Sequence, residues 1–332
     1  MKKLFLLILP AYTACAQAQT HSGNIIAFSG ANFNSKNGVM VTPENLWTIN
    51  SKNDCTINVN DADSSGGKPV YSLMPFAAAR DLGFKNVRDN FQFNNIGDRA
   101  YFNATIQRLN SWDSLLLNID ESLGRIVNFP TDIRKWNANT SKVLAAVSPK
   151  VVIVLNEENN PNYFNNSTPD DYLTLLKATA GNLPSNQLFA DGGLTWEMRL
   201  WYYSKTNDTL FYNTCLTNFQ RSVLRTTDFS NIDKELNTFK NMPGNFLFNL
   251  HLYLSNATEK DGLIRMITYL KNYLHHDFII GESGLYVNDP SLVSDLNLIA
   301  TATKPLYVVL YSGTNEPGKA IQLNTTMLEC LQ

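Results

Sequence analysis

The stretch KVVIVLNEENNP, residues 150–161, places five apolar side chains, Val151, Val152, Ile153, Val154 and Leu155, directly before Asn156 and Glu157. A short, unbroken apolar run reads as a parallel strand buried on both faces. A carboxylate at its end costs free energy unless it is paired or lies in a polar cleft. A second stretch, DFIIGESGLY at residues 277–286, repeats the layout: Phe278, Ile279 and Ile280 deliver Glu282 between two glycines. Glycine on either side lets the backbone turn and leaves room for a close neighbour.

Working outward, eight apolar runs recur along the chain, at 25–28, around 86–88, and at 125–129, 151–155, 187–190, 246–250, 278–280 and 306–310. Between them the pattern predicts helices at 73–82, within 101–117, and at 140–147, 170–180, 232–240, 260–274 and 291–302. Thr168, Pro169 and Asp170 are clear start signals for the fourth of these. Alternation at this spacing builds βαβ units and a parallel sheet, and eight repeats of it predict an α/β fold, a (β/α)8 TIM barrel. No linker divides the chain, so a single domain is expected. A polar segment at 34–71, containing DADSSGGKP, reads as a long insertion after the first strand, and DGGLTWEMRLWYYS at 191–204 as an aromatic loop.

The 332 residues carry a formal net charge of −2 and a pI near 6.1, which argues against a nucleic-acid partner. Lys2 and Lys3 precede an apolar segment at 4–14 that is too short to span a bilayer, followed by Ala16-Gln17-Ala18. This reads as a signal peptide at 1–18, giving an exported catalytic domain at 19–332, periplasmic or extracellular. Cys15 offers the alternative of a lipoprotein with that residue lipidated. No later run is long and apolar enough for a transmembrane helix. Cys55, Cys215 and Cys330 lack metal or disulfide-framework spacing, and the four histidines (His21, His251, His275 and His276) include no ligand pair, so no metal or cofactor is expected. GESG is not a nucleophile elbow, SSGGKP lacks phosphate-loop spacing, and no dinucleotide fingerprint follows a strand.

Groups at the C-terminal ends of barrel strands converge on one face. Glu157 follows the fourth strand and Glu282 the seventh, which places two carboxylates across one mouth. That pair is what glycoside hydrolysis needs: one carboxyl protonates the leaving oxygen, and the other attacks or activates water. A separation of about 5–5.5 Å goes with retention, and a wider gap with inversion. Glu158, adjacent to Glu157, is expected to point away.

The sequence resembles the clan A glycoside hydrolases, including cellulase-like barrels, over most of the mature chain. DLGFKNVRDN looks like the passage into strand two, with Arg88 matching an arginine that supports the nucleophile. VLNEEN is similar to the strand-four Asn-Glu, which implies Glu157 as acid/base and Asn156 as the contact to the sugar 2-hydroxyl. FNLHLYL resembles the strand-six His-x-Tyr of His251 and Tyr253, and IIGESG the strand-seven nucleophile, Glu282. SGANFN at the first strand is a weaker match. The chain departs from the pattern after strand three, where IVNFP has Asn128 in place of a histidine, and in strand eight, where Tyr311 of VVLYSG replaces a tryptophan.

The resemblance implies a retaining enzyme acting on a β-linked oligo- or polysaccharide. Arg88 and the Tyr253 hydroxyl would favour ionised Glu282, and His251 would orient one carboxylate. Trp196 is a candidate for stacking on sugar, whereas Trp112, Trp136, Trp201, Tyr202 and Tyr203 are more simply packing residues. The competing reading is a barrel that binds glycan without cleaving it, or serves as a surface interaction module.

Overall fold

A computed structural model describes residues 86–112, 114–121, 127–157, 168–285 and 291–310, together with short strands at 24–27, 32–34, 39–41 and 164–165. The strands are β1 (Asn24–Ala27), β2 (Asn32–Asn34), β3 (Val39–Val41), β4 (Asn86–Gln92), β5 (Ser114–Asp120), β6 (Val127–Asn128), β7 (Val151–Val154), β8 (Phe164–Asn165), β9 (Leu188–Ala190), β10 (Phe246–Leu254), β11 (Phe278–Leu285) and β12 (Tyr307–Leu310). One sheet runs in the order β1-β12-β11-β10-β9-β7-β5-β4, and every neighbouring pair in it is parallel. It curls, with helices on its outer side: α1 (Arg99–Leu109), α2 (Ile133–Leu144), α3 (Pro169–Asn182), α4 (Glu197–Thr206), α5 (Thr209–Cys215), α6 (Asn218–Val223), α7 (Ser230–Phe239), α8 (Lys260–Leu274) and α9 (Ser291–Thr303).

The period of two along each strand sorts its side chains into separate cores. Val152, Val154, Phe189, Phe246, Phe248, Phe278 and Ile280 face the helices. Leu116, Val151, Ile153, Ala190, Leu247, Ile279 and Val309 pack together on the other face, the inner side of the curled sheet. This second group is an apolar plug. One step nearer the C-terminal ends, the same face turns polar, with Asn118 two residues beyond Leu116 and Asn249 two residues beyond Leu247, both fully or almost fully buried. The plug is therefore the floor on which the site stands.

The helices form for ordinary reasons. Thr168 caps α3 through a reciprocal capping box with Asp171, with Pro169 at the first turn. Asp132 caps α2, and Trp136 Nε1 donates to Thr179 Oγ1 at 2.9 Å, tying α2 to α3.

Two expectations are corrected. The strand following α1 is β5, which begins inside the segment taken for helix, and the described strand in the apolar run at 125–129 is β6, which pairs with β8 outside the main sheet. The aromatic segment at 191–204 is mostly helix: α4 starts at Glu197, and Trp201 and Tyr202 are buried in the helical layer. Trp112 and Trp136 are buried as well. The signal segment at 1–18, Cys15, nearly all of the 34–71 segment, the helix expected at 73–82 and Tyr311 lie outside the described residues. No helix among the described residues is long and apolar enough to cross a membrane.

Candidate active site

Glu157 arrives on a tightened turn. Leu155 and Glu157 both adopt left-handed backbone, with φ of 65° and 46°. Such conformations cost non-glycine residues about 1–3 kcal/mol each and persist where the surroundings over-determine them. Here Leu155 N donates to Ile119 O at 2.9 Å and Glu157 N to Gly192 O at 3.2 Å, fixing the turn to its neighbours.

Glu282 arrives by a bulge. Leu250 pairs with Ile280 and His251 with Glu282, so Gly281 is an extra residue in β11. The pairing with β12 skips at the same place. A bulge re-aims the side chain that follows it. Only glycine fits: a Cβ at 281 would lie 2.1 Å from Asn249 Oδ1. The glycine before Glu282 thus makes room for a buried asparagine as well as for a turn.

His251 joins the two acids. Its Nδ1 lies 2.9 Å from Glu157 Oε1 and 2.9 Å from Glu282 Oε2, so one N–H faces both carboxylates. Burial opposes charge on the ring, but the charges and hydrogen bonds of Glu282 and Glu157 raise its pKa from 6.5 to about 9. The direction of that shift favours the protonated ring, an imidazolium, at neutral pH. Its other nitrogen, Nε2, is buried without a partner among the described residues and rests on Gly193, where a Cβ would come within 2.2 Å of it. Gly193 has φ of 113°, a second reason for glycine at that position.

Arg88 lies beneath the acids. Its Nη1 donates to Gly281 O at 2.9 Å, and its Nη2 donates to Asn156 Oδ1 at 2.6 Å and more weakly to Asn118 Oδ1 at 3.5 Å. Nη1 is 4.0 Å from Glu282 Oε1, close enough for its charge to act on that carboxylate but beyond hydrogen-bond range. With Oδ1 of Asn156 engaged, the NH2 is the end of that amide suited to donate to a ligand.

The structure thus brings Arg88, Asn156, Glu157, His251 and Glu282 together. Tyr253 follows on the same face of β10, and its carbonyl accepts from Arg199 at 2.8 Å. Trp196 stands just before α4, 40% exposed, beside the 64% exposed Phe219, with ring centroids 5.9 Å apart. A groove of about 960 Å³ between α3 and α7, lined by Lys177, Lys234 and Met242, contains none of these residues.

The donor atoms of Glu157, His251 and Glu282 all lie within 4.8 Å of one another, close enough to hold a single cation. The Nδ1 such an ion would occupy carries the proton that both acids face. Arg88 already supplies a positive charge at 4.0 Å. The cluster thus carries its own counter-charge.

Asp191, Gly193 and Asn249 escaped the sequence reading. Asp191 and Gly193 belong to the DGG that follows β9, and Asn249 sits two residues before His251 on β10. That alternation was the available signal.

No protein-family model matches the chain, and no curated protein matches it. Solved structures do. Thermotoga maritima Cel5A, in complex with mannotriose, superposes with a TM-score of 0.52 at 12% identity, over 95% of this chain and 99% of that one. A Pyrococcus furiosus β-glucosidase gives 0.52 at 10% identity, over 93% and 94%. A fungal β-1,4-galactanase gives 0.51 at 11% identity, over 78% and 90%. At such identities the likeness is one of fold alone: a curled parallel sheet flanked by helices, like that of the TIM-barrel glycoside hydrolases on which it superposes.

Proposed function

We propose that the protein is a retaining glycoside hydrolase acting on a β-linked glycan, with Glu282 as nucleophile and Glu157 as general acid/base. One observation carries the reading: a single buried imidazolium nitrogen lies 2.9 Å from both carboxylates. Carboxylate oxygens within 4.8 Å of one another suit the roughly 5–5.5 Å spacing of retaining enzymes better than the wider gap of inverting ones. Exposure favours the assignment of roles, because the Glu157 side chain is 16% exposed and that of Glu282 8%. The acid/base must exchange protons with water and the leaving group, while the nucleophile gains from shielding.

In this reading the Nδ1 proton of His251 passes to Glu157 Oε1, leaving a neutral acid and a neutral imidazole. Glu157 protonates the departing oxygen as Glu282 attacks the anomeric carbon, giving a glycosyl ester. Glu157, now a carboxylate, takes a proton from a water whose oxygen attacks the anomeric carbon, so the ester bond to Glu282 breaks, Glu282 leaves as a carboxylate and the sugar departs with its configuration retained. Arg88 favours the ionised form of Glu282 through its charge, and the Asn156 NH2 is suited to the neighbouring sugar hydroxyl. Trp196 and Phe219 offer ring faces at the rim.

The closed eight-strand barrel, the single domain at 19–332 and export after cleavage at residue 18 belong to the same proposal. The strand order and the sequence of residues 1–18 support them. The test is hydrolysis of a panel of aryl β-glycosides and polysaccharides by the wild type and by Glu157→Gln and Glu282→Gln. Loss of turnover by several orders of magnitude in each variant is expected. Unchanged turnover in both would refute the reading, and glycan binding without turnover would support the non-catalytic alternative.

A further inference from the structure

We propose that Asp191 and Asn249 are positioning residues for both catalytic acids, seating His251 and holding the backbone bulge that aims Glu282. The inference rests on the catalytic reading above.

Asp191 directly follows β9 and is completely buried. A buried carboxylate is costly unless its oxygens are satisfied. Here Oδ1 accepts the Asn249 N–H at 2.8 Å and Oδ2 the Gly193 N–H at 3.1 Å. Burial pushes this carboxyl up to about 7, opposed by those N–H groups and by the charge of His251. The bond to Gly193 has a consequence one step away. The Gly193 backbone is the surface under the His251 ring, and Asp191 holds it in its left-handed conformation. A shift there would tilt the ring whose Nδ1 faces both acids.

Asn249 links the neighbouring strands. Its Nδ2 donates to Asp191 O at 3.2 Å, and its Oδ1 accepts the Gly281 N–H at 2.9 Å. Gly281 is the extra residue of the β11 bulge, and its carbonyl accepts from Arg88. Arg88 in turn holds Asn156, the residue before Glu157. The polar chain thus runs from the seat of His251, under Glu282, to the base of Glu157. Each link is buried, and all but the Asp191–Gly193 bond join one strand or strand end to another, so the acids are set relative to one another by hydrogen bonds of defined length.

The test compares Asn249→Ala, Asn249→Asp, Asp191→Asn, Gly281→Ala and the double variant Asn249→Ala/Gly281→Ala. Misplacing a reacting group by about 1 Å costs around 100-fold. Asn249→Ala is therefore expected to lower kcat about 100-fold with KM changed less than about threefold. Asn249→Asp has the same shape and, with its buried carboxyl protonated beside Asp191, keeps both an acceptor for Gly281 and a donor for Asp191 O, so at mildly acidic pH it should stay within about tenfold of wild type. Asn249→Ala also clears the space a Cβ at 281 needs, so adding Gly281→Ala to it should cost little more, although Gly281→Ala alone is damaging.

A readout independent of turnover is the nitrogen-15 and proton spectrum of histidine-labelled protein, with the His251 signals assigned through His251→Gln. The Nδ1 proton facing two carboxylates should resonate far downfield in the wild type and in Asn249→Asp, and should be lost in Asp191→Asn and Asn249→Ala. Wild-type kcat in Asn249→Ala, multiplicative losses in the double variant, or an unchanged His251 proton in Asp191→Asn and Asn249→Ala would each overturn the proposal. An inactive wild type whose His251 proton still disappears in those variants would refute the glycosidase reading and leave the positioning supported.

Discussion

Replacing His251 with glutamine perturbs the charge balance of the whole site. Burial disfavours the imidazolium, but Glu282 and Glu157 raise its pKa from 6.5 to about 9 in the folded protein. A group with a raised folded pKa contributes stability that is fully present below its unfolded pKa and is lost as pH rises through the folded one. The window therefore runs from 6.5 to about 9. Each pH unit is worth about 1.4 kcal/mol, which caps the pH-dependent contribution near 3 kcal/mol. A further cost comes from the acids, because removing one partner of a buried ion pair typically destabilises by about 3–5 kcal/mol. Urea unfolding of wild type and His251→Gln at several pH values across that window separates the contributions. The wild type should be the more stable by several kcal/mol near pH 6, and the difference should narrow by up to about 3 kcal/mol toward pH 9. Turnover should fall by about 100- to 10,000-fold, the usual contribution of a positioned proton-transfer group. A stability difference that stays constant across the window would refute the shared imidazolium.

Other outcomes follow from single contacts. Gly193→Ala places a Cβ 2.2 Å from His251 Nε2 and strains a backbone with φ of 113°, so it should depress both stability and kcat, as unfolding and initial-rate measurements would show. Glu235 on α7 is buried, and burial together with the charges of Asp191 and Glu197 raises its pKa from 4.5 to about 8. Wild-type stability should accordingly fall as pH rises through that interval, by up to about 1.4 kcal/mol per unit, and Glu235→Gln should flatten the decline in a pH series of thermal or urea midpoints. Trp196→Ala should raise KM for oligosaccharides several-fold and leave kcat on a small aryl glycoside nearly unchanged, since the ring stands at the rim of the site.

The sequence was informative where local pattern and tertiary role coincide. Unbroken apolar runs before Glu157 and Glu282 correspond to β7 and β11, buried on both faces, and the start signals at Thr168 and Pro169 correspond to a formed capping box. It misled at β5. There SLLLNID follows α1 after only a short break, so the apolar triplet extends the helical pattern, and for short runs periodicity alone does not separate strand from helix. The run at 125–129 has strand composition but pairs with β8 outside the main sheet, a choice made by tertiary partners. His251 could be singled out in the sequence, but its contact with both acids could not, because that depends on a bulge one strand away. Asp191 and Asn249 carry no motif, and their importance lies in backbone groups they hold at Gly193 and Gly281.

The two acids are delivered by opposite departures from regular strand geometry. β7 stops at Val154, and left-handed residues at 155 and 157 fold Glu157 back over the sheet. β11 continues through its bulge, and the inserted Gly281 shifts Glu282 into register with His251. Neither device is stable alone, since one stores backbone strain and the other interrupts a ladder. Arg88 ties both together by donating to the Gly281 carbonyl in the bulge and to the side-chain Oδ1 of Asn156 in the turn. It stands on β4, so its bond to the Gly281 carbonyl ties β4 to β11 at the level of the acids. Its replacement by lysine would retain the charge and lose the fork that spans two acceptors. The separation of Glu157 and Glu282 is therefore set by the geometry of one guanidinium below and one imidazolium between them.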